Sequence, residues 1–229
     1  MSPARDPRTA RALLIAFAAA SAAHLLGIVL QLHPLHYATK PLLMPLLAAW
    51  VWASARPATP KLLIPALLFG AGGDILLEIG GTGGFLAGMG SFAVGHACYV
   101  TMFVKLGALA DRRRTALLAV GYAVVWATLI TLLLPDLDAG MRIPMACYSL
   151  LLAATALTSS RIDWRAGVGG ALFLLSDTLI ATDIAHWKHL PMHSFLIMLT
   201  YLVGQYLLTI GTLRRTDSPA PQPAVAPAV

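Results

Sequence analysis

Apolar residues run along this chain in eight long stretches, broken by short segments that hold Pro, Gly and basic residues. The stretches fall at about 10–30, 37–54, 61–79, 85–104, 115–134, 142–159, 167–185 and 191–212. Most approach the roughly 20 residues that a helix needs to cross the hydrocarbon core of a bilayer. The pattern predicts an all-α fold, a polytopic membrane bundle of eight transmembrane helices over residues 10–212. Residues 1–9 read as a cytoplasmic N-terminal tail, and the Pro/Ala-rich residues 213–229 as a disordered cytoplasmic tail. The second stretch is short and carries Pro41 and Pro45, which a packed membrane helix tolerates. The first resembles a signal peptide, with arginines before Leu13–Ala23 and a small-residue triplet at Ala20-Ser21-Ala22. Its apolar run continues through Leu30, so it reads as a retained anchor.

Composition sharpens this picture. Of 229 residues, 58% are hydrophobic and 11% charged, whereas a soluble domain carries roughly 25% charged residues to wet its surface. A soluble enzyme, a disordered chain and a disulfide scaffold are excluded. The net charge of +6 does not indicate nucleic acid, because the cations cluster between apolar runs. With eight crossings, one side holds Arg5, Arg8, Arg11, Arg56, Lys61, Lys105, Arg112, Arg113, Arg114, Arg161, Arg165, Arg214 and Arg215. The other holds Lys40, Arg142 and Lys188. This split of 13 to 3 puts both termini in the cytoplasm of a cell-membrane protein. Cys98 and Cys147 lie in apolar runs, away from any metal-binding spacing, and read as packing residues.

Two segments look alike. Residues 66–74 read ALLFGAGGD, followed by GHACY at 95–99; residues 170–177 read GALFLLSD, followed by LTYLVGQ at 199–205. Asp74 precedes Tyr99 by 25 residues and Asp177 precedes Tyr201 by 24. The acids are four spans apart, so both helices run in the same direction, the pattern of a parallel four-plus-four duplication.

Ionisable side chains inside such spans cost perhaps 2.5–3.5 kcal/mol on insertion scales, which makes each a candidate for function. Asp74 and Asp177 sit roughly 8–12 Å below the outer boundary at 1.5 Å per residue. Glu78 follows Asp74 by one turn on the same face. Lys40 opens the second span from the outer side. His96 and Tyr99 share a face of the fourth span, and Tyr201 and Gln205 share one of the eighth. The outer half of the bundle thus holds acids, a cation, an imidazole and phenols, the signature of a polar cavity. His186, His189 and His193 lie at an outer turn beside Trp187, Lys188 and Pro191, and read as an interfacial loop. The glycines at 70, 72, 73, 167, 169 and 170 read as sites of close helix packing. No phosphate-binding loop, nucleophile elbow or zinc-protease helix motif occurs.

At these residues the chain resembles the YhhN-like lysoplasmalogenase family of eight-span membrane proteins. The matching pieces are Thr39-Lys40-Pro41 with Pro45, Gly73-Asp74-Ile75-Leu76, His96-Ala97-Cys98-Tyr99, Ser176-Asp177, and Thr200-Tyr201 with Gln205. The likeness covers about residues 37–212; spans one, five and six carry no signature. It implies hydrolysis of the vinyl ether bond of lysoplasmalogens to a fatty aldehyde and a glycerophospho-base, with Asp74 and Asp177 as the active-site pair. The implied partners are a lysophospholipid substrate and membrane lipids, with no nucleic acid, cofactor or metal. Two carboxyls suit the chemistry, since one can protonate carbon while the other orients water and steadies the cation. On this reading Lys40 contacts phosphate, His96 and Tyr99 orient an acid or the water, and Glu78, Ser176, Tyr201 and Gln205 support them. Two competing readings use the same features: a proton-coupled lipid or small-molecule transporter with the acids as relay, and a metal-dependent membrane lipid amidase with His ligands.

Overall fold

A computed structural model describes residues 7–54 and 59–217. Arg5, Arg56 and residues 218–229 of the expected C-terminal tail lie outside the described residues. Within them the chain forms α1 (Pro7–Val29), α2 (His33–Ala53), α3 (Leu63–Ile79), α4 (Gly81–Lys105), α5 (Arg112–Leu133), α6 (Ala139–Ser159), α7 (Trp164–Ile184) and α8 (His193–Asp217). A 3-10 turn, Leu134–Asp136, extends α5, and no strand is present among the described residues.

Six of the helices, α1 and α4 to α8, are long and apolar enough to cross a membrane. The other two are α3, with 17 residues, and α2, which opens with His33, His36 and Lys40. These two shorter or more polar helices bear the outer charged residues described below. The molecule is a multi-pass membrane bundle.

Three helix ends differ by four or more residues from those predicted, for physical reasons. α2 starts at His33 rather than near 37, because Pro34 in its first turn has the fixed φ that a helix start needs. α4 starts at Gly81 rather than near 85. The run Gly80-Gly81-Thr82-Gly83-Gly84 has the composition of a loop, yet only its first two residues form the joint, Gly80 with φ 75° and Gly81 with φ 67°. α8 continues to Asp217, so the first residues of the expected tail are helical, and Leu213 is fully buried.

The packing order is α1 on α2, α2 on α3, α3 on α4, α4 on α6, α6 on α7, α7 on α8 and α8 back on α1. α5 rests against α6 and leaves most of its surface to the bilayer. In lipid, apolar burial drives little association, so close contact and interhelical hydrogen bonds hold such bundles together. At Gly73 a Cβ would fall 2.5 Å from the ring of Phe92, which locks α3 to α4. At Gly169 it would fall 2.5 Å from Leu208 N and 2.7 Å from Gly204 O, which locks α7 to α8 backbone to backbone. Ser91 Oγ donates to Phe69 O at 2.7 Å and Ser176 Oγ to Ile197 O at 3.0 Å, one such bond in each hairpin.

These contacts also set the levels of the two hairpins. Gly95 lies opposite Gly70, and Gly204 opposite Phe173, each four residues before an acid. In that alignment the counterpart of Tyr201 is Phe92, and not Tyr99 as the sequence spacing proposes.

Candidate active site

Asp74 is buried on α3, one turn after Gly70. Across from it, Tyr201 and Gln205 stand one turn apart on α8. Tyr201 OH donates to Asp74 Oδ2 at 2.7 Å. Gly70 faces this pair: a Cβ there would lie in ordinary contact, 3.5 Å from Gln205 Nε2 and 3.6 Å from Tyr201 OH. Gln205 Oε1 in turn accepts from Tyr99 OH at 2.8 Å. Sequence reasoning brought these four residues to one site, and they do meet, as two adjoining hydrogen-bonded pairs.

Asp177 is half-buried on α7 and accepts a short hydrogen bond from Tyr148 OH on α6. Both border a cavity between α3, α4, α5, α6 and α7. Its wall is otherwise mostly apolar, with Met89, Phe92, Trp126, Leu152 and Leu174 prominent, and Asp177 is the one carboxylate in it. Asp74 is not part of that wall. Phe92 links the two acids: it borders the cavity and packs edge-on against Tyr201, ring centres 6.2 Å apart. Phe173, which does not border the cavity, also packs edge-on against Tyr201, at 5.4 Å. The carboxylates lie within electrostatic reach of each other, and each acts on the other's phenol.

Lys40, near the start of α2, does not border the cavity. Its ammonium donates to Glu78 Oε1 at 2.5 Å, with only 11% of the side chain exposed. The same oxygen is 3.7 Å from His36 Nε2, and the charge of Lys40 also acts on Asp74. The cation expected to contact phosphate is thus satisfied at close range by an opposite charge, Glu78.

The remaining residues singled out from sequence have structural partners. Ser176 uses its hydroxyl on the α8 backbone, as noted above. His96 Nδ1 is 3.0 Å from Thr155 Oγ1, and its ring packs 4.4 Å from Phe173. Thr155 donates its own proton to Leu151 O at 3.0 Å, so the imidazole is the donor to Thr155. His189 and His193 both approach Asp183 Oδ1 at 2.9 Å at the outer rim. Among the described residues no cluster of three His, Cys, Asp or Glu side chains is arranged to hold a metal ion.

Sequence reasoning missed Tyr148, His36 and Phe92. Tyr148 lies in Cys147-Tyr148-Ser149, a run with no motif, and its only signal is a phenol at mid-span.

With this geometry described, the chain can be set beside known proteins. It is 33% identical over 177 residues to lysoplasmalogenase TMEM86B of Homo sapiens, a match covering 77% of this chain and 73% of the relative. It is 29% identical to lysoplasmalogenase TMEM86A of Homo sapiens over 174 residues, 71% of this chain and 69% of the relative. A lysoplasmalogenase of Mycobacterium bovis is 34% identical over 142 residues, 59% of this chain and 54% of the relative. No solved structure matches. Residues 35–212, which carry both acids, both phenols and every helix from α2 to α7 with most of α8, match one family as a whole, and the chain belongs to the YhhN family.

Proposed function

We propose that this protein is a membrane lysoplasmalogenase that cleaves the vinyl ether bond of lysoplasmalogens. The observation that carries the reading is a carboxylate, Asp177, in the wall of an otherwise mostly apolar cavity whose Phe92 packs on Tyr201, the partner of a second acid, Asp74. The names of the relatives in both kingdoms supply the substrate class. Asp177 acts as the general acid, because it borders the space that an alkenyl chain would fill. Its carboxyl proton adds to the β-carbon of the vinyl ether, and the double-bond electrons form the new C–H bond. The resulting oxocarbenium ion is captured by water, which Asp74 orients and whose proton a carboxylate accepts. The hemiacetal then collapses to fatty aldehyde and a glycerophospho-base. Lys40 meets the substrate phosphate. No step requires a metal or organic cofactor.

The positive-inside distribution supports eight crossings, α2 and α3 included, with both termini cytoplasmic. The acids then lie in the outer half of the membrane. The four-plus-four duplication is proposed for the order of helix packing, in which α2–α3–α4 parallels α6–α7–α8.

The direct test is aldehyde release by the purified protein from an alkenyl lysophospholipid, with and without chelator. Aldehyde formation that chelator leaves unchanged is expected. No aldehyde from a folded preparation overturns the reading, and aldehyde formation abolished by chelator overturns the two-acid chemistry.

Tyr148 is a positioning residue in this scheme, since it touches Asp177. Tyr148→Phe keeps the ring in the cavity wall and removes one hydrogen bond of about 0.5–1.5 kcal/mol. Its expected effect is a fall in kcat of up to about tenfold with KM little changed, read from aldehyde release against substrate concentration. An unchanged kcat would detach Tyr148 from the chemistry.

A further inference from the structure

The cavity that Asp177 borders has one face made of two apolar ladders. Phe85, Met89 and Phe92 of α4 border it, and so do Trp126, Ile130 and Leu133 of α5. Each set has the spacing i, i+4, i+7, so each lies along one side of its helix. The two helices are consecutive and joined by the short segment 106–111, so they run in opposite directions past the cavity. Counted from that segment, Phe85 is level with Leu133, Met89 with Ile130 and Phe92 with Trp126.

The two edges of α5 are held differently. Among the described residues, its hydrogen bonds to other helices all run to α6 or to the turn after it. Tyr122 OH lies 3.2 Å from Ser160 Oγ, Trp126 Nε1 donates to Ser149 Oγ at 3.0 Å, and Arg161 Nε donates to Thr115 Oγ1 at 3.2 Å. α4 is fixed instead to α3, by close backbone contact, and to α6, through His96 and Thr155. Between α4 and α5 no side-chain hydrogen bond occurs among the described residues. Where α5 passes into the 3-10 turn the cavity is capped. Leu133, Leu137, Met145, Ala181 and Ala185 form a buried cluster there, and Trp187 Nε1 donates to Asp136 Oδ2 at 2.7 Å beside it. Phe85 packs against this cluster and against the main core.

We propose that the α4–α5 seam is the door through which the lipid enters the cavity sideways from the bilayer, with α5 hinged on α6 and Phe85 closing the gap. The proposal rests on the lysoplasmalogenase reading only for the class of ligand. Parting α5 from α6 breaks hydrogen bonds, and in hydrocarbon no water replaces the lost partners. Parting α5 from α4 exchanges one apolar contact for another, because a lipid tail is as apolar as a leucine side chain. The α4–α5 edge is therefore the one that an alkyl chain can part. The capped end bars the direct route from water. A single-chain lipid already has its tail in the bilayer beside these ladders, so this path keeps the tail out of water throughout.

Trapping tests this apart from catalysis. In full-length protein carrying Cys98→Ala and Cys147→Ala, Phe85→Cys and Leu133→Cys are bridged by a bis-methanethiosulfonate reagent, which a reductant releases. The probe is a tritiated 1-alkyl-glycerophosphoethanolamine, whose saturated ether the enzyme cannot cleave. Bridged before loading, the protein is expected to take up the probe at least about tenfold more slowly. Bridged after loading, it should hold the probe through a detergent wash until reductant is added. The control bridges Tyr122→Cys to Ser160→Cys on the α6 edge, and should change neither uptake nor release. Uptake unaffected by the bridge across the seam overturns the proposal, and so does release of preloaded probe at the unbridged rate. Two single variants test the same point without crosslinking. Phe85→Ala should speed uptake severalfold and Phe85→Trp should slow it; equal uptake by both and the wild type overturns the proposal. A protein that traps the probe yet releases no aldehyde from a vinyl ether would overturn the function and leave the door standing.

Discussion

Asp177→Asn is expected to lower aldehyde release from a lysoplasmalogen by roughly 10²–10⁴-fold, the usual worth of a positioned general acid. Asparagine has nearly the same volume, and its Oδ1 still accepts the hydrogen bond from Tyr148, so the cavity wall is preserved. What it lacks is a proton that can be given to carbon. Asp74→Asn should cost a similar factor through the second half of the reaction, since an amide neither takes a proton from water nor balances an oxocarbenium charge. The double variant should fall little below the weaker single one, because groups that act as a unit cannot lose the same proton transfer twice. Melting temperatures should hold or rise, since a carboxyl held away from water is itself destabilising. Paired measurements of turnover and melting decide the matter. If both single variants keep activity within a few-fold, the acids belong to some other process, and a transport role becomes the better account.

The second large effect lies in the scaffold. Gly169→Val should prevent α7 and α8 from docking, because the first added carbon would already lie 2.5 Å from Leu208 N and 2.7 Å from Gly204 O. Those atoms are backbone, so relief requires α8 to move as a body, and α8 carries Tyr201 and Gln205. Overpacking of a rigid core costs typically 1–3 kcal/mol and sometimes more, against a total stability on the order of 5–15 kcal/mol. Gly169→Ala should therefore already lower the melting temperature, and Gly169→Val should leave little folded protein after extraction. The control is Gly121→Ala on α5, where an added methyl meets nothing within 4 Å and a better helix former replaces a poor one. Equal melting of Gly169→Ala and wild type would show that the α7–α8 contact is looser than drawn.

What could be read from the sequence follows the same physics. The helices were legible because a span in lipid must be a long apolar run, and few loops can imitate that. The acids were legible because an ionisable group is conspicuous where solvation is absent. Glycine was harder to interpret. In Gly80-Gly81-Thr82-Gly83-Gly84 it looks like a turn, but only Gly80 and Gly81, both with positive φ, break the helix; Gly84 and Gly88 let α4 lie against α3, where an added Cβ would come 3.0 Å from Leu76 O and 3.1 Å from Gly73 O. Tyr148 was hidden because a single phenol in an apolar run has no periodic or charge signature. Spacing along the chain also misled at Tyr99, which matches Tyr201 in distance from an acid but bonds to Gln205 instead of an aspartate. Interhelical pairs such as Lys40 with Glu78 join residues 38 positions apart, and no local pattern reports them.

The bond from Tyr201 to Asp74 spans 127 residues of chain, and this distance shapes how the protein is made. α3 leaves the ribosome well before α8 exists, by several seconds at about 5–20 residues per second. For that interval Asp74 enters the membrane without its phenol, while Lys40, on the helix made just before, is already present to act on it. The short, glycine-bearing α3 packs between α2 and α4, and its acid meets its phenol only when the last helix arrives. A chain that stops short of His193 lacks Tyr201, and with it the hydroxyl that meets Asp74, so this site forms only once the last helix is made.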